Sequence, residues 1–215
     1  DLVLFGTFLT RSGVLSSVHA FAESEIGPMF FVFIGFTFIT SIALVIYRWA
    51  DLKSETEMKS MLSREALFLL NNLLFLSILV VSFWGVIFPL LSELFTGSKV
   101  TVGPPFYERA TGPLWGGLML LMGVAPLSAW GHSTIKTLGR AIWKPALGAL
   151  LAPIFAFANG ITNWIPLSGF TLVALVITVT INEFGRGALA RSRKSDENFF
   201  VELWNLTKRN RRRYG

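Results

Sequence analysis

Long apolar runs dominate this sequence and restrict it to one kind of fold. Five runs have the length of a membrane span: 28–47, 66–88, 113–130, 141–158 and 164–184. Residues 1–10 form a further, partial run. Because lipid offers no partners to backbone N–H and C=O groups, such spans fold as helices. The sequence therefore predicts an all-α, polytopic integral membrane helix bundle with about five full transmembrane helices plus a partial one.

The composition supports this class over a soluble one. Hydrophobic residues make up 53% of the chain and charged residues 15%, whereas a soluble domain carries about 25% charged residues. We treat residues 1–215 as a single transmembrane region. Because the chain starts inside an apolar run without an initiator Met, we expect it to be an internal piece of a longer membrane protein.

The basic residues are distributed unevenly between the spans. Of the 19 Lys and Arg residues, four lie in 48–65, three in 131–144 and nine in the tail from 185. The positive-inside rule then places these three segments on the cytoplasmic side, and it places the segment around residue 19 outside. We expect a multi-pass protein of the bacterial inner membrane with a cytoplasmic C-terminal tail. The net charge of +6 is explained by this distribution, so we expect no nucleic-acid partner.

Several kinds of chemistry are excluded from this chain. It contains no cysteine, which excludes disulfides, thiolate catalysis and iron–sulfur clusters built by its own residues. The sequence also lacks paired carboxylates, a nucleophile–base–acid arrangement and a phosphate-binding Gly loop. Few ionisable groups lie within the spans, which argues against a proton relay or ion pathway.

One histidine is placed where it could bind a metal. His19 follows the first apolar run and a Ser/Gly break, at the predicted outer surface. It is either an ordinary interfacial histidine or an axial ligand to haem iron, with Leu15, Val18 and Phe21 as an apolar wall. Arg11, eight residues earlier, is the candidate for a propionate counter-charge.

The second histidine belongs to the opposite side. His132 lies in a basic, cytoplasmic segment, so it cannot share a metal with His19, and we expect an interfacial role for it.

Two polar features near the spans have alternative interpretations. Asn71 and Asn72 lie early in the second full span, where they either hold helices together or shape a cofactor cavity. The outer loop 93–112 carries a Gly103-Pro104-Pro105 run that we expect to be rigid and extended. That loop is either a stiff connector or a platform for a partner.

Local signals predict further details of the helices. Ser63 is the predicted N-cap of the second full span, and Pro89 is predicted to end or kink that same span near the outer surface. Pro153 is predicted to bend its own helix. The tail from 185 alternates charged and apolar residues, which indicates an amphipathic helix at the membrane surface. Small residues at four-residue spacing predict a smooth ridge for helix packing: Gly148, Ala152, Ala156 and Gly160.

Five short runs also carry a resemblance to a known family. They are GTFLTRSGVLSSVHAFA at 6–22, SRE at 63–65, LLNN at 69–72, VGPPF at 102–106 and NRRRYG at 210–215. In this order they closely resemble the cytochrome c maturation haem-lyase subunit family, CcmF and its relative NrfE. The first run is the most specific of the five.

The resemblance implies a function that the residues alone do not. Such proteins attach haem covalently to the Cys-X-X-Cys-His motif of apocytochrome c at the outer face of the membrane. They take haem from a haem chaperone and work with a subunit that presents apocytochrome c. His19 matches the second of the family's two outer histidine ligands to this transient substrate haem. The family's b-type haem would be held by histidines upstream and downstream of this chain.

Two other function classes stay open at this point. A transporter or permease fragment, for example one exporting haem, would call for broken helices and buried charges. A non-catalytic assembly scaffold would bind partners through the 93–112 loop. Whether the chain is part of an enzyme is left open, with a haem lyase that forms thioether bonds as the favoured case. Membrane lipid is an expected partner in each case.

Overall fold

The computed structural model describes residues 1–11, 26–53, 60–98, 100–195 and 197–209, and these are helical without any strand. It confirms the predicted all-α membrane fold, since five helical stretches are long and apolar enough to cross a membrane. The helices are α1 (Leu2–Arg11), α2 (Ile26–Tyr47), α3 (Arg64–Thr96), α4 (Pro104–Val124), α5 (Ile135–Ala149), α6 (Leu151–Ala158), α7 (Trp164–Ser195) and α8 (Phe199–Arg209).

The chain folds as two compact units, Asp1–Glu57 and Met58–Gly215. The first unit contains α1 and α2. The rings of Phe8 and Phe31 lie 5.8 Å apart, so the C-terminal half of α1 lies beside the first turns of α2. Arg11 is the last residue of α1 and therefore lies at the C-terminal end of that helix.

Helix α7 is the centre of the second unit. It contacts α4, α5, α6 and α8, and α3 packs against α4. Val179 of α7 is fully buried beside Ala149 and Leu175. The Thr178 hydroxyl donates to the carbonyl of Pro145 at 2.9 Å, which ties α7 to α5.

Glycines allow the helices of this unit to approach closely. A Cβ atom at Gly85 of α3 would lie 2.5 Å from the Tyr107 hydroxyl, and one at Gly148 of α5 would lie 3.1 Å from Thr178. The predicted small-residue ridge is therefore used at Gly148, and Ala156 is buried as well. Gly160 lies beyond α6 and has a φ of 89° instead of continuing the ridge.

Helix α3 begins as predicted and ends later than predicted. The Ser63 side chain accepts a hydrogen bond from the Ala66 amide at 3.3 Å, which confirms the N-cap. Pro89 was predicted to end or kink this span, and it does not end it, because α3 continues to Thr96 and stops at Gly97 with a left-handed φ of 69°. Membrane helices accommodate proline when the freed carbonyls find other donors.

The Gly-Pro-Pro run is helical, which corrects the predicted extended connector. Gly103 is the N-cap of α4, and Pro104 and Pro105 form its first turn. Proline suits this position because its missing N–H has no intrahelical partner there. The connection between α3 and α4 is therefore 97–103, much shorter than the predicted loop 93–112.

The predicted basic loop 131–144 is also mostly helical. Helix α5 begins at Ile135, after a capping box between Thr134 and Thr137. The fourth predicted span divides into α5 and α6 at Leu150. Pro153 lacks the N–H that would bond to the Ala149 carbonyl, which accounts for a break at this place.

The amphipathic tail helix is confirmed as α8. Leu206 and Glu202 face α7 and are buried, whereas Phe200 and Trp204 are exposed. The Ser195 hydroxyl donates to the Glu202 carboxylate at 2.9 Å, so the buried charge has a partner at the end of α7.

The contact between Gly85 and Tyr107 yields a stability prediction. We expect Gly85→Ala to lower the free energy of unfolding by about 1–3 kcal/mol, because the tyrosine ring must shift. Gly112→Ala on α4 is the control, since a Cβ atom there meets nothing within 4 Å. Unfolding of the full-length protein in detergent, followed by helical circular dichroism, measures both. This packing is refuted if Gly85→Ala is as stable as Gly112→Ala. It is also refuted if Gly85→Ala lowers the free energy of unfolding as much in a Tyr107→Leu background as in the wild-type protein.

Candidate functional site

The predicted haem ligand His19 lies outside the residues that the structure describes. Arg11, its proposed companion, is exposed at the C-terminal end of α1. The described residues thus include the two helix ends that flank the His19 segment, Arg11 and Ile26. The proximity of Arg11 and His19 stays a prediction.

His132 lies within the residues that the structure describes. It is exposed, and its amide donates to the carbonyl of Trp130 at 2.9 Å. Among the described residues, no group of three or more His, Cys, Asp or Glu side chains could hold a metal ion.

The most elaborate polar arrangement joins the start of α3 to the segment after α4. The Arg64 guanidinium donates to the Pro126 carbonyl at 2.7 Å, and the Arg64 amide donates to Ala129 at 3.0 Å. Both Glu65 carboxylate oxygens accept from the Gly131 amide, at 3.0 and 3.1 Å. We call this set of contacts between residues 64–65 and 126–131 the latch.

An aromatic side chain and a glycine complete the latch. The Arg64 guanidinium lies 5.4 Å above the Trp130 ring, within the range of a cation–π interaction. Phe68, one turn along α3, packs against the same ring. Gly131 has a φ of 76°, a conformation that a side chain would disfavour.

A large cavity lies beside the latch. It is a partly open space of about 1020 Å³ between α3, the turn after α4 and the middle of α7. Apolar side chains such as Leu67, Phe68 and Leu121 form much of its wall. Six polar or amphipathic side chains also line it: Arg64, Asn71, Ser128, Trp130, Thr180 and Glu183. We call this space the latch cavity.

One polar atom in this wall is unsatisfied. Ser128 is only 3% exposed, and its hydroxyl has no hydrogen-bond partner within the described part of the chain. Buried hydroxyls in native proteins nearly always have a partner. The Ser128 hydroxyl is therefore an exception that calls for an explanation.

The sequence contained only part of the signal for this site. Asn71 was expected either to hold helices together or to shape a cavity, and it lines the latch cavity, whereas Asn72 is exposed. The latch itself was missed, because its partners are 62 and 66 residues apart along the chain. A Ser-Arg-Glu run before a span indicates a helix cap and does not indicate which distant loop it binds.

The latch yields a prediction about Glu65. We expect Glu65→Ala to lower the unfolding temperature, because the Gly131 amide loses its acceptor, whereas Glu65→Gln keeps one oxygen and should cost less. Asp51→Ala is the control, since the Asp51–Arg48 pair is solvent-exposed, and such pairs contribute little. Thermal unfolding in detergent compares the three variants. Equal melting temperatures for Glu65→Ala and Asp51→Ala would show that the latch does not stabilise the fold.

Comparison with known proteins finds relatives of one kind. The chain is 40% identical over 163 residues to the cytochrome c-type biogenesis protein ccl1 of Rhodobacter capsulatus, covering 73% of this chain and 24% of that protein. It is 34% identical over 207 residues to CcmF of Pseudomonas aeruginosa, covering 93% and 31%. It is 34% identical over 163 residues to the probable cytochrome c-type biogenesis protein NrfE of Escherichia coli, covering 74% and 27%.

These matches confirm the resemblance to the CcmF and NrfE proteins. The chain spans about a quarter to a third of the length of these curated relatives. No protein-family model matches the chain. No solved structure matches it either.

Proposed function

We propose that this chain, a relative of the CcmF- and NrfE-type cytochrome c biogenesis proteins, is part of a membrane haem lyase. In this role it binds substrate haem through His19 at the outer face and helps attach it to the Cys-X-X-Cys-His motif of apocytochrome c. The observation that carries the proposal is the similarity to CcmF, which covers 93% of the chain. A match of that extent reaches well into both structural units.

The residues around the His19 segment fit the chemistry of haem. A haem site needs an axial ligand, apolar walls and a partner for the propionates. The segment contributes an imidazole, and the end of α1 contributes a cation, Arg11. The packed rings of Phe8 and Phe31 provide aromatic surface in the same unit.

In the chemical step, the main role of this chain is to position the haem. Haem contributes vinyl groups that can form thioethers, and apocytochrome c contributes the thiols. This chain has no cysteine, so it supplies no competing thiol. Its own residues would hold the iron through the His19 imidazole, neutralise a propionate through Arg11 and restrict the orientation of the macrocycle.

The helix connections support one arrangement in the membrane. The Arg64–Pro126 contact brings the start of α3 and the end of α4 to the same side. Basic residues follow α2 at Arg48 and end α7 at Arg193 and Lys194. By the positive-inside rule, the latch and the end of α7 lie at the cytoplasmic side. The His19 segment and the α3–α4 connection then lie outside.

The scaffold and transporter alternatives have less support. The scaffold hypothesis relied on an outer loop of 20 residues, and helix α4 takes up much of it. The transporter hypothesis relied on broken helices at mid-membrane, and the described part of the chain provides only the break at Leu150 between α5 and α6.

The haem proposal predicts the effect of removing His19. We expect His19→Ala in the full-length protein to lose one haem population and to abolish cytochrome c maturation, because the iron loses an axial ligand. His132→Ala is the matched control and should retain both. Absorption spectra of the oxidised and reduced protein, with haem stoichiometry, provide the readout. Unchanged haem content and maturation in His19→Ala would overturn the proposal.

The sidedness predicts the labelling of single cysteines. Since the chain has none, Ser98→Cys and Lys136→Cys report on the α3–α4 connection and on α5. We expect a membrane-impermeant maleimide to label Ser98→Cys in intact spheroplasts, and Lys136→Cys only after the membrane is opened. The opposite pattern would invert the arrangement and remove His19 from the outer face.

A further inference from the structure

We propose that the latch cavity is a phospholipid site, in which Arg64 and Ser128 hold the phosphate and the apolar wall holds the upper acyl chains. The site goes beyond the proposed haem chemistry, which would occur at the other side of the membrane. Three features of the cavity support it: an unsatisfied donor, a cation held in place, and an apolar stretch of wall that opens at the surface of the helix group.

The unsatisfied donor is the Ser128 hydroxyl. It is buried, has no partner among the described residues and belongs to the cavity wall. A hydroxyl left unpaired in this way costs free energy unless a bound molecule accepts its hydrogen bond. A phosphate oxygen is such an acceptor, and hydrogen bonds to charged groups are the stronger ones.

The cation in the same cavity wall is held in place. Arg64 uses one guanidinium nitrogen, Nη2, for the Pro126 carbonyl, and the group lies over the Trp130 ring. A guanidinium has five N–H donors, so others remain to bind an oxyanion. The latch thus orients a cation at the end of the cavity where Ser128 also lies.

An apolar stretch of wall follows Arg64 along the helices. The cavity extends along α3 from Arg64 to Asn71, a distance of about 10 Å. Between them lie Leu67 and Phe68, with Leu121 and Val176 from α4 and α7. This length matches a glycerophosphate with the first part of its acyl chains, whereas free phosphate would leave the apolar wall without contact.

The cavity opens at the outer surface of the helix group. Its wall residues Phe68, Met122 and Trp130 are each more than half exposed. Basic pockets between helices at the cytoplasmic side are a recurring form of lipid head-group site.

The test measures lipid bound to the full-length protein purified in detergent. Native mass spectrometry counts bound phospholipid after addition of phosphatidylethanolamine, for the wild-type protein and for Ser128→Ala and Arg64→Gln. Two variants outside the cavity serve as controls. Ser168→Ala removes a hydroxyl that bonds within α7, and Arg140→Gln removes an exposed cation of α5.

We expect Ser128→Ala to bind the lipid about tenfold more weakly, as for the loss of one hydrogen bond to a charged group. Arg64→Gln should bind more weakly still, and the controls should match the wild-type protein. Without lipid, Ser128→Ala should unfold at the wild-type temperature or above it, because it removes an unsatisfied group. Added lipid should then stabilise the wild-type protein more than Ser128→Ala.

Other outcomes would overturn the proposal. If Ser128→Ala and both controls bind phospholipid equally, the hydroxyl is not part of a lipid site. If no lipid binds to the wild-type protein, another part of the polypeptide occupies the cavity. If the Ser128→Ala variant loses haem while its phospholipid is unchanged, the cavity serves haem. Because Arg64→Gln also breaks the latch, Ser128→Ala decides the result if Arg64→Gln fails to fold.

Discussion

The need to satisfy every backbone polar group without water governs this structure. In lipid, an unpaired N–H or C=O costs several kcal/mol, so each interruption of a helix has to be compensated by a nearby group. Ser63 supplies an acceptor where α3 begins, and Glu65 supplies one for the Gly131 amide outside the helices. The Thr178 hydroxyl contacts the Pro145 carbonyl of α5 and the Ala174 and Leu175 carbonyls of its own helix. Several polar side chains of the second unit thus bind backbone groups at a helix start, in a turn or between helices.

Lipid also changes the forces that hold the helices together. Lipid tails are as apolar as leucine, so burial of apolar side chains does not drive helices together as it does in water. Instead, helices in lipid are held together by close approach of their backbones and by van der Waals packing. Tyr107 packs against Gly85 at a distance that a methyl group would prevent, and Thr178 packs against Gly148 so closely that an added methyl group would require a small shift. Consequently the contact of α3 with α4 depends on the absence of a side chain at Gly85.

These two constraints explain what could be predicted from the sequence. The number of spans and the α8 helix follow from composition and periodicity, which are local signals, and so does the Ser63 cap. Pro89 and Pro104 were misjudged because proline only forbids an N–H donor, and it is compatible with a helix start or a compensated interior. The latch depends on pairs more than 60 residues apart. The role of His19 came from resemblance, since an isolated imidazole at a membrane surface indicates no chemistry by itself.

The latch cavity is ordered by contacts that form before any ligand arrives, because Arg64 is held by a carbonyl and an aromatic ring. Preorganisation of this kind reduces the cost of ordering side chains on binding. A lipid held there would add stability to the α3–α4–α7 group by mass action.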